Sequence, residues 1–224
     1  MKNAVILAPH PDDELISCGG TIMKLASQGW KVYWIIATEL KGQDQSSKSK
    51  KARRLEQIDL IKNKLGIEKY FELKFPAGQL HGGIIPEMVS SVSEVFDKVK
   101  PEHVFLPFPG DAHTDHEYVF RSGKASCKWF RHPYVKNVYA YETISETNFD
   151  YNINCANFKP NFFVDINEHI EKKISLTEIY SDEFAHFPFP RSKEAIRALA
   201  KYRGCSSGSS FAEAFQLILS RDGF

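Results

Sequence analysis

Apolar and polar residues alternate along this chain in two rhythms. Short apolar runs at residues 4–8, 31–37, 70–75, 103–106 and 137–141 have the length and the β-branched or aromatic content of strands. Between them, Leu55, Ile58, Ile61 and Leu65 recur at spacings of three and four, which predicts a helix over 51–65. Met88, Val89, Val92, Val95 and Phe96 predict another over 86–98. Gly66 stands where a C-capping glycine belongs. Alternation of this kind predicts βαβ units with right-handed crossovers and a mostly parallel sheet flanked by helices. The expected class is α/β, as a single Rossmann-like domain over residues 1–224. After Thr143 the chain is richer in Asn and aromatic residues. Long loops are expected there, with a strand at 162–166 and helices near 168–180 and 192–202.

The chemistry gathers where two of these runs stop. Residues 4–8 lead into Pro9, His10, Pro11, Asp12, Asp13 and Glu14. The prolines break the strand and hold the backbone extended around His10. Carboxyl ends of strands are where open α/β sheets place ligands. Four ionisable groups beside an apolar strand are costly unless something cationic or catalytic uses them, and a divalent metal is the simplest answer. A second run ends in Asp111, His113, Asp115 and His116. His and carboxylate are the usual ligands of catalytic zinc, where three protein ligands leave a position for water. Each cluster alone reads equally well as a solvated turn with capping aspartates; the two together favour a metal site. Asp12 and Asp13 are adjacent and point in different directions, so one can bind metal while the other serves as base. The sequence leaves open which does which.

These residues carry a resemblance. Pro9 to Glu14, His113-Thr114-Asp115-His116, the segment around Phe162 to Ile166, and Tyr202-Arg203-Gly204 with Phe211 to Phe215 resemble the LmbE-like, or PIG-L, family of zinc-dependent N-deacetylases. The resemblance implies one Zn2+ per chain, or another divalent ion, on His10, Asp13 and His116, with Asp12 as base. It implies that His113 stabilises the oxyanion as imidazolium, and that Asp115 orients His113 and raises its pKa. A competing reading makes Asp115 the N-cap of a helix beginning at His116. Glu14 reads as a supporting acceptor or a first-turn residue. The family places a substrate-binding arginine on the second helix, for which Arg53 and Arg54 are the candidates. It often has an acidic residue after the third strand, where this chain has Ala77-Gly78. The implied reaction is removal of an N-acetyl group from an amino-sugar conjugate of the N-acetylglucosamine type. Alternatives are an amidase on a bulkier conjugate and a metal-dependent nucleotide-sugar glycosyltransferase. The His-rich donor set favours hydrolysis over the latter.

Composition narrows the partners. Twenty-nine basic and 28 acidic residues leave a net charge of +1, which gives no electrostatic case for nucleic acid. The basic residues Lys48, Lys50, Lys51, Arg53 and Arg54 read as a loop followed by the solvated face of a helix. Cys18, Cys127, Cys155 and Cys205 are widely spaced, as free thiols in a reducing compartment would be. The run at 4–8 is too short for a signal-peptide core and no stretch nears spanning length, so no membrane span and a cytoplasmic location are expected. G-x-G-x-x-G is absent, so a nicotinamide enzyme is not expected; Gly19 and Gly20 read as close-packing positions of the first helix. His81, His103, His132, His169 and His186 lie in no ligand-like spacing and read as surface or satisfied core residues; reach toward the site from the glycine-flanked loop of His81 is the lesser alternative. Residues 41–50 are polar and predict a mobile loop. Residues 181–192 carry Phe184, Phe187 and Phe189, suited to a sugar face, a homo-oligomer contact or a staple on the core.

Overall fold

A computed structural model describes residues 2–39, 45–149, 151 and 157–221, with the side chains of 45–47 not described. Strand β1 (Asn3–Ala8) is buried throughout, as its unbroken apolar run requires. It leads into α1 (Asp13–Ser27), β2 (Lys31–Glu39), α2 (Gln45–Leu65), β3 (Lys69–Pro76) and α3 (Ile85–Val99). Then come β4 (His103–Pro107), α4 (Thr114–Ser126), β5 (Asn137–Tyr141), β6 (Phe162–Asp165), α5 (Ile170–Leu176), α6 (Lys193–Ser207) and β7 (Ala212–Ser220). The sheet order is β3-β2-β1-β4-β5-β7-β6. The first five strands are mutually parallel, while β7 runs antiparallel to both β5 and β6.

Two consequences position the site. The chain winds outward from β1 through β2 to β3, then returns to β4 on the other side of β1. The switch point between β1 and β4 opens a crevice at their carboxyl ends. The two strands that carry the His/Asp clusters pair directly, with Val5 opposite Val104 and Ile6 opposite Phe105. Alternate residues of β1 feed the two faces of the sheet. Ile6 and Ala8 pack with Leu15, Ile22, Trp34 and Ile61, and Val5 and Leu7 with Met88, Phe96, Leu106 and Val119. A helical layer thus covers each face.

Helix α2 begins at Gln45, six residues before the predicted start. Of the predicted mobile loop, residues 41–44 lie outside the described residues and the rest is helical. Leu55 departs from its expected core position: it is 43% exposed and faces a cavity. Strand β7 was not foreseen; residues 211–215 read as a motif, not as part of a central strand. Cys18 and Cys127 are buried free thiols, Cys205 is exposed, and Cys155 lies outside the described residues. Among the described residues, no helix is long and apolar enough to cross a membrane.

Gly20 lets α1 approach the end of β6. A Cβ there would stand 2.5 Å from Ile166 Cγ2 and 2.8 Å from its Cβ, a branch point that cannot swing away. Gly20→Ala is therefore expected to cost about 1–3 kcal/mol by overpacking. Gly82→Ala, whose Cβ meets open space, should stay within about 0.5 kcal/mol. Chemical denaturation of the two variants checks this; equal stability would rule out close packing as the role of Gly20.

Candidate active site

The loop after β1 is held at several points. Thr38 donates through Oγ1 to the Pro9 carbonyl at 2.8 Å, and Tyr141 donates to that of Leu7 at 2.9 Å. Asp12 then turns the chain into α1 with φ 140°, a strained value for a residue with a side chain. Its backbone N–H donates to Glu14 Oε2 at 2.9 Å, and Tyr180 donates to Glu14 Oε1 at 3.0 Å. Glu14 thus supports the turn as an acceptor and lies in the first turn of α1, so its two readings coincide.

Each histidine of the donor set has one nitrogen committed and the other aimed inward. His10 Nε2 bonds Asp115 Oδ2 at 3.0 Å, which leaves Nδ1 facing Asp13 Oδ2 at 3.5 Å. His116 Nδ1 bonds Asp111 Oδ2 at 2.7 Å, and its Nε2 faces the same Asp13 oxygen at 3.5 Å. Thr147 Oγ1 donates to the other Asp111 oxygen at 2.5 Å. His10, Asp13 and His116 offer donor atoms within 4.8 Å of one another, and so do His10, His113 and Asp115. The first trio fits a metal better. Its buried His116 Nε2 and Asp13 Oδ1 have no hydrogen-bond partner, whereas Asp115 Oδ2 already accepts from the backbone of Gly78 at 2.7 Å as well as from His10. Buried polar atoms left unpaired in a native protein call for a partner, and a cation held by this trio would supply it.

The charges follow from these contacts. Burial opposes ionisation of Asp13, but His116 and His10 outweigh it and hold the carboxyl well below the ordinary range. Burial also opposes charge on both imidazoles. Asp115 and Asp13 nevertheless raise His10 to about 10, and Asp13 and Asp111 raise His116. Asp12 moves the other way: burial and the charge of Asp13 push its carboxyl up, against the pull of Arg191. Its Oδ2 accepts from Arg191 Nη1 at 2.6 Å, while its buried Oδ1 has no partner.

Two expectations for His113 and Asp115 need correction. The Asp115 carboxylate engages His10 and the backbone of residues 78–80, not the His113 ring. The N-cap of α4 is His113, whose Nδ1 accepts from the Asp115 N–H at 3.1 Å. With Nδ1 accepting, the proton of a neutral ring sits on Nε2. Burial, then the neighbouring His10, lowers the His113 pKa despite the opposing charge of Asp115. The geometry presents a neutral imidazole, not an imidazolium.

A cavity of about 530 Å3 opens beside these groups, lined by His10, Asp12, Arg54, His113, Glu183 and Arg191 among others. Arg54 bonds Glu183 and, at 3.2 Å, the Pro11 carbonyl. Arg53 is not brought in; it faces outward and pairs with Asp182 at 2.9 Å. Lys51, read as solvated helix face, pairs with Glu39 at 3.1 Å on the cavity wall. His81 is exposed and only caps a short turn through Gly83. In the aromatic loop Phe184 packs on the core, whereas Phe187 and Phe189 are 65% and 44% exposed. Arg191 escaped the sequence reading because its partners Asp12, Ser145 and Glu146 are remote in the chain. Asp111 stood in the second motif two residues before His113, and that alternation was its only signal.

The family model of PIG-L, GlcNAc-PI de-N-acetylase, matches residues 5–127, more than half of the 224-residue chain. The chain belongs to the PIG-L family. The match spans both clusters and the β1–β4 switch point. Diacetylchitobiose deacetylase of Thermococcus kodakarensis is 27% identical over 229 aligned residues, covering 97% of this chain and 84% of that protein. The structure of N,N'-diacetylchitobiose deacetylase from Pyrococcus horikoshii superimposes with a TM-score of 0.79 at 22% identity, covering 97% and 84% of the two chains. GalB, a 4-carboxy-2-hydroxymuconate hydratase from Pseudomonas putida KT2440, superimposes with a TM-score of 0.80 at 18% identity, covering 100% and 99%. At these identities the structural likeness is one of fold.

In this PIG-L site, His116→Ala and Asp13→Asn are expected to abolish metal binding measured by elemental analysis. Asp115→Asn should weaken it about 10–100-fold by freeing the His10 ring. Both donor imidazoles have raised pKa values, so each holds its proton until the pH rises through that value. Metal uptake must displace those protons, and affinity should fall as pH falls. Calorimetric titration in buffers of different ionisation heat measures the release. No proton release, with full binding by Asp115→Asn, would overturn the arrangement.

Proposed function

We propose that the protein is a zinc-dependent hydrolase that removes the N-acetyl group from an amino-sugar conjugate. The observation that carries the reading is Asp12: a buried carboxylate of raised pKa, with one oxygen held by Arg191 and the other unengaged, next to the inward-facing set of His10, Asp13 and His116. The PIG-L match and the deacetylase names of two relatives support it. His10, Asp13 and His116 would hold one ion, and two imidazoles with a carboxylate suit zinc. When bound, zinc acidifies water and acts as a Lewis acid on a carbonyl oxygen.

The chain's own groups do the rest. Asp12 Oδ1 takes a proton from the attacking water, with a carboxyl pKa poised closer to neutrality than usual. Arg191 occupies Oδ2 and so decides which oxygen is available. The water oxygen bonds to the acyl carbon, and the amide C–N bond then breaks. The proton on Asp12 passes to the leaving nitrogen, so that acetate and a free amine depart. His113 donates its Nε2–H to the acyl oxygen as negative charge builds. Arg54, at the cavity wall, binds a hydroxyl of the sugar.

Purified zinc-loaded protein should release acetate from an N-acetylglucosamine conjugate; a hydratase would release none. Asp12→Asn is expected to keep the metal and lose roughly 100-fold or more in kcat. Loss of metal in Asp12→Asn but not in Asp13→Asn would reverse the two roles. His113→Ala should lower kcat by roughly 100-fold or more with little change in KM, the pattern of a donor that acts in the transition state. Arg54→Ala should raise KM while Arg53→Ala changes neither constant; the opposite result would assign the hydroxyl contact to Arg53.

A further inference from the structure

Far from the cavity, charge is segregated in a way the net value of +1 conceals. Between Glu117 and Glu142 the chain has no acidic residue but carries Arg121, Lys124, Lys128, Arg131 and Lys136. Arg121 pairs with Glu117 at 2.6 Å and Lys136 with Glu102 at 3.1 Å. Among the described residues, no ion pair engages Lys124, Lys128 or Arg131, all exposed. The facing helix α3 brings Asp97 to this region. It accepts from Tyr134 at 3.1 Å and lies 3.6 Å from His132 Nε2. At the tip of the turn between α4 and β5, Trp129 and Phe130 are 64% and 62% exposed. Their rings stand 5.9 Å apart and nearly perpendicular. The 13 residues of α4 carry the chain from His113 to this turn, a run of about 20 Å. The tip therefore lies at the amino-terminal end of the parallel strands, opposite the end that carries the cavity.

We infer that the turn over residues 124–136 anchors the protein to an anionic lipid bilayer. Trp and Phe at a tip insert at the level of the headgroups, and Lys and Arg beside them meet anionic lipid. The shape argues against the other occupants. A stable protein interface needs about 1,000 Å2 or more of complementary surface, and the surface next to the two rings is cationic. A nucleic-acid site needs a groove or stripe that tracks a backbone, and these cations ring a single tip. With the tip seated on the bilayer, the cavity at the far end of the strands stays open to water. The anchor is independent of what the cavity hydrolyses.

The test uses the full chain and phosphatidylcholine vesicles with and without phosphatidylglycerol. Co-sedimentation is expected only with phosphatidylglycerol, and is lost near 1 M salt, where the screening length is about 3 Å. Of the three tryptophans Trp34 is fully buried, Trp30 half-buried and Trp129 exposed, so an emission blue shift on binding that Trp129→Ala removes reports on the tip. Trp129→Ala with Phe130→Ala should abolish both binding and shift. Replacing Lys124, Lys128 and Arg131 together by Gln should weaken partitioning about 100-fold, at roughly fivefold per charge. Both variants should keep wild-type activity on a soluble conjugate. Failure to bind anionic vesicles, or binding unchanged in both variants, overturns the anchor. So does a dimer that the aromatic variant dissolves, or a preference for nucleic acid over vesicles.

Discussion

Asp12, Asp13, Glu14, Asp111 and Asp115 are all buried within one crevice between β1 and β4. An isolated buried carboxylate is so costly that it protonates instead. Burial is offset to a different degree at each of the five. Asp111 and Asp115 each hold a histidine. Glu14 accepts from a backbone N–H and a tyrosine hydroxyl, with its pKa still pushed upward by burial. Asp13 is compensated by two imidazoles. Asp12, pressed by burial and by the charge of Asp13, is offset only in part by Arg191 and His10, and its pKa stays raised. The crevice divides adjacent, chemically identical side chains into a carboxyl held well below the ordinary pKa range and one raised above it.

The same contacts fix directions. A histidine with one nitrogen hydrogen-bonded to a carboxylate can turn only the other nitrogen to the centre. That rule orients His10 through Asp115 and His116 through Asp111. His113 obeys the mirror of it. Its Nδ1 caps α4 by accepting a backbone N–H, so its remaining nitrogen is a donor. Three imidazoles in one crevice thus divide into two ligand-like rings and one hydrogen-bond donor, by what stands behind each ring.

Strain at Asp12 is tolerated because the surroundings over-determine it. Its N–H is held by Glu14, its Oδ2 by Arg191, and the following helix begins at Asp13. Arg191 is itself fixed by Ser145, at 2.7 Å, and by Glu146, so the segment after β5 and the loop before α6 both converge on Asp12. The PIG-L match ends at residue 127; Arg191, which clamps Asp12, lies beyond it.

The sequence by itself determined the elements and the chemistry on offer. Apolar periodicity located β1 to β6, α3 and most of α2, and abrupt stops in His and Asp marked both halves of the crevice. These are local signals, carried by neighbours three or four residues apart. The sequence could not say which residues face each other across the fold. Asp115 pairs with His10 across 105 positions and Arg191 with Asp12 across 179. Both contacts exist only because β1 pairs with β4 and the C-terminal loop folds over the first turn of α1. Arg53 and Arg54, indistinguishable as letters, are separated by one step of rotation on α2: one reaches solvent and Asp182, the other the cavity. β7 was invisible for the same reason. Its place between β5 and β6 is set by long-range pairing, and no local pattern encodes the order of strands in a sheet.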